Sequence, residues 1–333
     1  MRRFALTLIL TALSTPGFAA RPEPIIDMHL HAAGANGVGL PGQYVCAPYD
    51  YWPTRDPREP IGVYSKDLTG SPDCRQRFKG PNTDAELRDG SLEILRKRNV
   101  FAVTSGSADR VQEWRLKAPD RIIPALLFGA GKLPTVAELR LLHAAGRLQV
   151  IGEIAAQHAG IPPDSPELEP YYALAEELDI PLGIHLGTGV PGGIYSATPK
   201  FRMAHSNALL LEEVLARHPR LRLYVMHAGW PLAEQMIALL YAHPQVYVDT
   251  AAIGYMFPRA DYHAYLKRLV DAGFEKRIMF GSDQLVWPEA IEAAIDAIES
   301  AAFLSPRQKR NILYENAVRF LRLSPEQMAL HRK

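Results

Sequence analysis

The chain has 333 residues, enough for one large α/β barrel or two smaller domains. Its apolar fraction of 47% and charged fraction of 22% are those of an ordinary globular protein with a sizeable core. With 37 Lys and Arg against 36 Asp and Glu, no basic field recommends a nucleic-acid partner and no charged run suggests a disordered tail.

Residues 1–20 read as a signal peptide. Arg2 and Arg3 form a short positive stretch, Phe4 to Leu13 is mainly apolar, and Pro16 and Gly17 break it. Gly17 and Ala19 supply the small residues expected before a cut after Ala19, or else after Ala20. The run is too short to span a bilayer. The expectation is a periplasmic or secreted protein, with no membrane association once the signal is removed.

Eight short apolar runs follow: Ile25–His31, Val100–Ser105, Arg121–Phe128, Leu148–Ile154, Ile180–Leu186, Leu221–His227, Val246–Thr250 and Arg277–Asp283. Each is rich in Val, Ile or Leu, as strands buried on both faces are. Between them, Ala85–Arg98, Val136–Gly146, Pro166–Leu178, Ala208–His218 and Ala233–Ala242 have helical periodicity. Thr83 or Asp84 is placed to cap the first of these, and Pro288–Leu323 reads as one or two closing helices. Strands alternating with helices predict an α/β fold, a (β/α)8 TIM barrel over residues 24–325. The alternative, a doubly wound open sheet that binds a nucleotide, would carry a Gly-rich turn after its first strand. That strand ends instead in His29-Leu30-His31.

One connection is abnormally long. Residues 32–83 lack periodicity and are rich in Gly, Pro and Tyr. Following the first strand, this insertion would lie at the C-terminal face of the barrel, where active sites are built, and it reads as a wall or lid over the site. It holds both cysteines, Cys46 and Cys74, for which an oxidising compartment favours a disulfide. Their spacing does not suit a zinc knuckle.

The chemistry concentrates at the strand ends. His29 and His31 are two apart on one strand and share a face, with Asp27 on the same face beneath them. Glu153, His185, His227 and Asp283 each directly follow an apolar run, so four of the eleven histidines close predicted strands. A barrel gathers such ends into one ring. Burying so many ionisable groups without a cation would be costly, and His with carboxylate ligands suits zinc or manganese.

Ile26-Asp27-Met28-His29-Leu30-His31, Ile184-His185-Leu186-Gly187, Met226-His227-Ala228-Gly229-Trp230-Pro231 and Phe280-Gly281-Ser282-Asp283 resemble the amidohydrolase superfamily. Within it, they are similar to the amidohydrolase-2 type of TIM-barrel metal-dependent hydrolases, from residue 25 to about 323. The resemblance implies that His29, His31, His185 and Asp283 bind the principal metal. Asp283 would also take a proton from the metal-activated water. His227 would polarise the substrate, act as an acid or bind a second ion. Glu153 stands where some members bridge two metals with a Glu or a carboxylated Lys. The set permits one ion or two, and the value of His227 as a catalytic group favours one. Zinc is the leading metal and manganese the alternative.

Trp230, Tyr255, Gln284 and Trp287 follow strand ends, and His158 lies in the turn after the fourth strand. All five read as substrate-binding residues. Arg55 and Arg58 read as solvated loop charges, and His143, His205, His218, His243, His263 and His331 as surface or capping residues. The function expected is hydrolysis of an ester, lactone or amide of a small molecule. A non-oxidative decarboxylase of the same branch is the enzymatic alternative. A metal-dependent binding protein that has lost catalysis is the alternative of another class. By resemblance, a homodimer is one arrangement to expect.

Overall fold

The structure, a computed structural model, describes residues 22–129, 131 and 133–332. The segment read as an export signal lies outside the described residues. No helix among them is long and apolar enough to cross a membrane.

Eight parallel strands form a nearly closed barrel. They are β1 (Ile25–Ala32), β2 (Val100–Gly106), β3 (Ile122–Phe128), β4 (Val150–Ile154), β5 (Leu182–His185), β6 (Leu223–Met226), β7 (Tyr247–Asp249) and β8 (Ile278–Met279). They pair in that order. The last seam, from β8 back to β1, is held by single hydrogen bonds rather than a regular ladder. Met28 N–H donates to the carbonyl of Phe280 (2.9 Å), and Asp283 N–H donates to that of His29 (2.7 Å). The Asp27 carboxylate sews the same seam by accepting from the backbone N–H of His29 (2.9 Å) and of Ser282 (3.0 Å).

Helices cover the outside, so β1, β2 and β4 are buried along their whole length. This is why they read as unbroken apolar runs rather than alternating ones. Inside, Tyr224 on β6 reaches across the ring to donate its hydroxyl hydrogen to the carbonyl of Met28 on β1 (3.2 Å). Gly183 on β5 makes room for it, because a Cβ there would stand 2.5 Å from the Tyr224 ring. Around Tyr224, Met28, Phe101, Val103, Val150 and Met279 complete an interior apolar cluster with Phe320 of the C-terminal region.

Caps set the helix starts where the sequence placed them. Thr83 and Glu86 form a reciprocal capping box on the helix Asp84–Lys97, and Thr135 with Glu138 does the same for Val136–Ala144. Two helices, Ala108–Lys117 and Arg259–Asp271, lie in stretches not read as helical. The stretch Ala208–His218 divides into a 3-10 turn, Ala208–Leu211, and a short α-helix, Glu212–Arg217. His331, read as a surface or capping residue, is instead buried, with its ring stacked 3.6 Å from that of Phe101. His218 is likewise buried at its helix end, between Glu169 (2.8 Å) and Glu176 (3.2 Å).

The long connection after β1 is ordered by a small antiparallel hairpin, Tyr44–Cys46 with Arg77–Lys79, and a short helix, Ile61–Ser65. A Cys46–Cys74 disulfide closes its base, with the two Cα atoms 6.0 Å apart. Its contacts reach segments that follow barrel strands. Tyr49 N–H donates to the carbonyl of Met256 (2.9 Å) after β7, and Trp287 Nε1 after β8 donates to the carbonyl of Gln43 (2.8 Å). The Arg55 guanidinium lies 4.7 Å over the Tyr195 ring in the loop after β5. The insertion therefore crosses the C-terminal face of the barrel.

Replacing both Cys46 and Cys74 by Ser should cost up to about 3.5 kcal/mol, the loop-closure entropy of a bridge of this span. The check is thermal or urea unfolding without reductant, with limited proteolysis to show whether residues 50–73 are cut first. Unchanged stability and an uncut insertion would mean that the other contacts hold this wall unaided.

Candidate metal centre

Six of the strand-end residues converge in one buried cluster. His29 and His31 lie on β1, Glu153 on β4 and His185 at the end of β5, with His227 just past β6 and Asp283 past β8. None is more than 6% exposed. His29 Nε2 and His31 Nε2 face one another at 3.1 Å. Asp283 Oδ1 lies 2.9 Å from His31 Nε2 and 3.9 Å from His29 Nε2. Glu153 divides its two oxygens. Oε2 is 3.4 Å from both His29 Nε2 and His31 Nε2, while Oε1 is 2.6 Å from His185 Nδ1. His185 Nδ1 in turn lies 2.9 Å from His227 Nε2.

The far side of each β1 imidazole determines what its near side offers. His29 Nδ1 lies 3.2 Å from Asp249 Oδ2, an acceptor, so this nitrogen carries the proton. His31 Nδ1 lies 3.0 Å from Ser105 Oγ, whose own hydrogen points to the carbonyl of Leu30 (3.4 Å). Both Nε2 atoms thereby face each other and Asp283, and each can offer a lone pair once any proton there is displaced. Nitrogen and carboxylate groups that converge this closely in a buried site call for positive charge between them, a proton or a metal ion. Asp283 Oδ1 and His185 Nε2 are buried without a hydrogen-bond partner. The donors suit a divalent metal, and two groups have the spacing to hold one: His29, His31 and Asp283, and His29, Glu153 and His227. His185 belongs to neither group and stands instead on the Oε1 side of Glu153.

Charge follows the geometry. Burial pushes Glu153 up, yet hydrogen bonds from His185, His227 and His29 hold it well below the ordinary carboxylate range. Asp283 is also lowered, because His29 and His31 outweigh the effect of burial. Burial would lower His29, but Asp283 and Asp249 raise it well above its usual value. His227 is raised against burial by Glu153. Burial and the neighbouring His227 push His185 down to about 4. Asp27 lies beneath the cluster, and burial raises it to about 6.

Two of the six residues leave their strands through left-handed backbone, His227 at φ 58° and Asp283 at φ 49°. Asp and His tolerate this region better than most residues, though it still costs about 1 kcal/mol each. Both conformations are pinned. Asp249 Oδ1 accepts from His227 N–H (2.9 Å), and the Tyr255 hydroxyl donates to the carbonyl of Asp283 (2.9 Å).

Asp249 was not singled out from the sequence, yet it is fully buried and holds both a histidine ring and a strand end. Its signal was present: like Glu153 and Asp283, it closes an apolar run, Val246-Tyr247-Val248-Asp249. Ser105, at the end of β2, was also passed over. A lone Ser carries no comparable signal.

The five residues read as substrate-binding divide. Gln284 spends both ends of its amide on β1, accepting from His31 N–H (2.9 Å) and donating to the carbonyl of His31 (2.6 Å). Tyr255 holds Asp283, and Trp287 holds the insertion. All three are buried and act on the framework. Trp230 is half-buried, edge-on to Phe257 with ring centroids 4.1 Å apart. His158 packs 4.5 Å from the His185 ring, and burial lowers its pKa. Arg58 pairs with Asp56 on the exposed surface of the insertion (2.5 Å).

A family model described as Amidohydrolase matches residues 26–323. No curated protein matches the chain. Solved structures share its fold at low identity. An uncharacterised TIM-barrel protein from Bordetella bronchiseptica is 17% identical, with a TM-score of 0.59 over 92% of this chain and 99% of that one. A probable 2-pyrone-4,6-dicarboxylic acid hydrolase from Acinetobacter baumannii is 14% identical, with a TM-score of 0.56 over 90% of this chain and 99% of that one. The 5-carboxyvanillate decarboxylase of Sphingomonas paucimobilis is also 14% identical, with a TM-score of 0.54 over 90% and 99%.

Asp249→Asn should weaken metal binding about 10–100-fold, because an amide neither fixes the His29 tautomer nor strengthens its Nε2 as a carboxylate does. Competition with a chelator at several zinc concentrations measures this. Undiminished affinity would remove Asp249 from the metal centre.

Proposed function

The chain belongs to the amidohydrolase family, and on that premise we propose that it hydrolyses an uncharged ester, lactone or amide of a small molecule with the help of a bound divalent cation. The observation that carries this reading is the pair of facing Nε2 atoms beside an ionised Asp283. His29, His31 and Asp283 would hold the cation, with Glu153 and His227 able to hold a second. Zinc is the metal we favour, with manganese next. When bound, such an ion makes a water acidic near neutral pH and offers positive charge to a developing oxyanion.

The residues have separable tasks. Asp283 is held ionised by His29 and His31, so its carboxylate can accept the proton of the attacking water. His227 is the histidine with a proton to give: its Nδ1 faces the carbonyl of Ala251 (3.1 Å), and its raised pKa favours a second proton on Nε2. That Nε2–H can stabilise the acyl oxygen or protonate the departing group. Glu153 keeps His185 and His227 in place and balances their charge. The buried cluster and the insertion above it limit bulk water to what the reaction consumes.

Hydrolysis leads over loss of carbon dioxide in this reading because an ionised Asp283 is able to take the proton of an attacking water. We further propose that the mature enzyme works outside the cytoplasm, a reading supported by the N-terminal sequence and the Cys46–Cys74 disulfide.

Elemental analysis of the purified protein should find about one equivalent of metal, or two if the Glu153 group is also filled, and none in a His29→Ala/His31→Ala double variant. With a substrate found among esters, lactones and amides, Asp283→Asn should lower kcat about 10²–10⁴-fold while the fold persists. In 18O-labelled water the acid product should carry the label. Release of carbon dioxide without incorporation would replace this reading with the decarboxylase. A metal-loaded protein that turns over nothing would leave the binding protein.

A further inference from the structure

The turn after β4 carries a histidine that the chemistry above does not use. His158 lies in the 3-10 turn Ala156–Ala159, with its ring centroid 4.5 Å from that of His185 and 5.5 Å from that of Phe201. Its Nδ1 is buried without a partner, while Nε2, which no described residue bonds, is not buried. A buried ring nitrogen left unmatched is an unfavourable arrangement for a group that only packs.

Nor is the turn loosely placed. The neighbouring Gln157, 2% exposed, donates from Nε2 to Ser206 Oγ (2.6 Å) and to the carbonyls of Gly187 and Arg202 (both 3.3 Å). Ser206 Oγ also donates to the carbonyl of Gly187 (2.7 Å). The turn after β4 is thus fastened to the loop after β5, and His158 is held against that loop. Gly189 in the loop approaches closely, since a Cβ there would stand 3.3 Å from both His158 Cε1 and the Phe201 ring. In a ring of eight strands β5 lies opposite β1, so the loop after β5 and His158 beside it are across the cluster from His31.

We infer that His158, Phe201 and the Gly189 backbone form the subsite for the departing side of the substrate, with a His158 N–H donating to an oxygen of that group and Phe201 flanking its apolar part. This rests on the hydrolase reading. It assigns that enzyme to substrates whose departing group is oxygen-linked and carries an apolar body, such as an aryl ester or an unsaturated lactone. Gln157 is the positioning residue, acting through the turn it fastens.

The test uses the full zinc-loaded protein and two probes: benzylphosphonate for equilibrium binding by calorimetry, and phenyl acetate for turnover. His158→Ala should weaken benzylphosphonate binding and raise KM for phenyl acetate, each about tenfold, with zinc content unchanged. His158→Gln restores an N–H and should recover most of both, which a purely structural role would not do. Gly189→Val, which crowds the His158 and Phe201 rings without removing the donor, should weaken phosphonate binding independently of His158. Equal phosphonate affinity in wild type and His158→Ala overturns the assignment. So does loss of zinc from His158→Ala, or a wild type that does not bind the phosphonate. A wild type that binds the phosphonate yet leaves esters, lactones and amides intact defeats the hydrolase reading alone, because the binding comparison still tests His158.

Discussion

Two imidazole nitrogens brought within 3.1 Å of each other, beside a buried carboxylate, are the constraint around which the surrounding structure is arranged. The protein holds them there from behind. Asp249 fixes the ring of His29, Ser105 faces that of His31, and the Gln284 amide grips the backbone of His31 on both its donor and its acceptor. Asp27 ties the same strand to Ser282, so that Asp283 arrives beside the histidines. Each support comes from a different strand or its end. The barrel therefore does more than gather ligands: it spreads the support of this close pair over β7, β8, β1 and β2.

The fold was legible because burial on both faces leaves one kind of trace. The strands contain almost nothing but apolar residues, so the polar residues that end them stand out. That contrast exposes His29, His31, Glu153, His185, His227 and Asp283, and the barrel brings all six into one cluster. It failed where the trace was weak. The helix Ala108–Lys117 buries only Val111 and Trp114, too little to register as a periodic face. Ser105 is an ordinary residue in an ordinary place. Asp249 falls inside the run Val246–Thr250, one residue short of its end, although the strand itself stops at Asp249.

The division among the proposed substrate contacts has a different cause. Gln284, Tyr255 and Trp287 were identified by position after a strand, and position does not tell which way a side chain turns. Asp283 at φ 49° and Leu285 at φ 51° bend the chain sharply after β8. That bend turns Gln284 back onto β1 and Trp287 toward the insertion. Backbone handedness of this kind in residues other than glycine leaves no mark in composition. The long connection after β1 shows the converse. Its Gly, Pro and Tyr residues looked like irregular chain, yet a hairpin, a disulfide and contacts to Met256 and Trp287 give it a defined course.

Tyr224 has a consequence for traffic through the molecule. Its ring lies across the barrel from β6 to β1, where its hydroxyl reaches the carbonyl of Met28 beside His29, and Gly183 makes room for it. The tube is corked beneath the cluster. With that end filled, an incoming molecule and a departing one share the C-terminal face that the insertion crosses. In such a one-ended vessel, the lingering of spent material at the mouth, rather than the bond-breaking below it, can set the pace of the cycle.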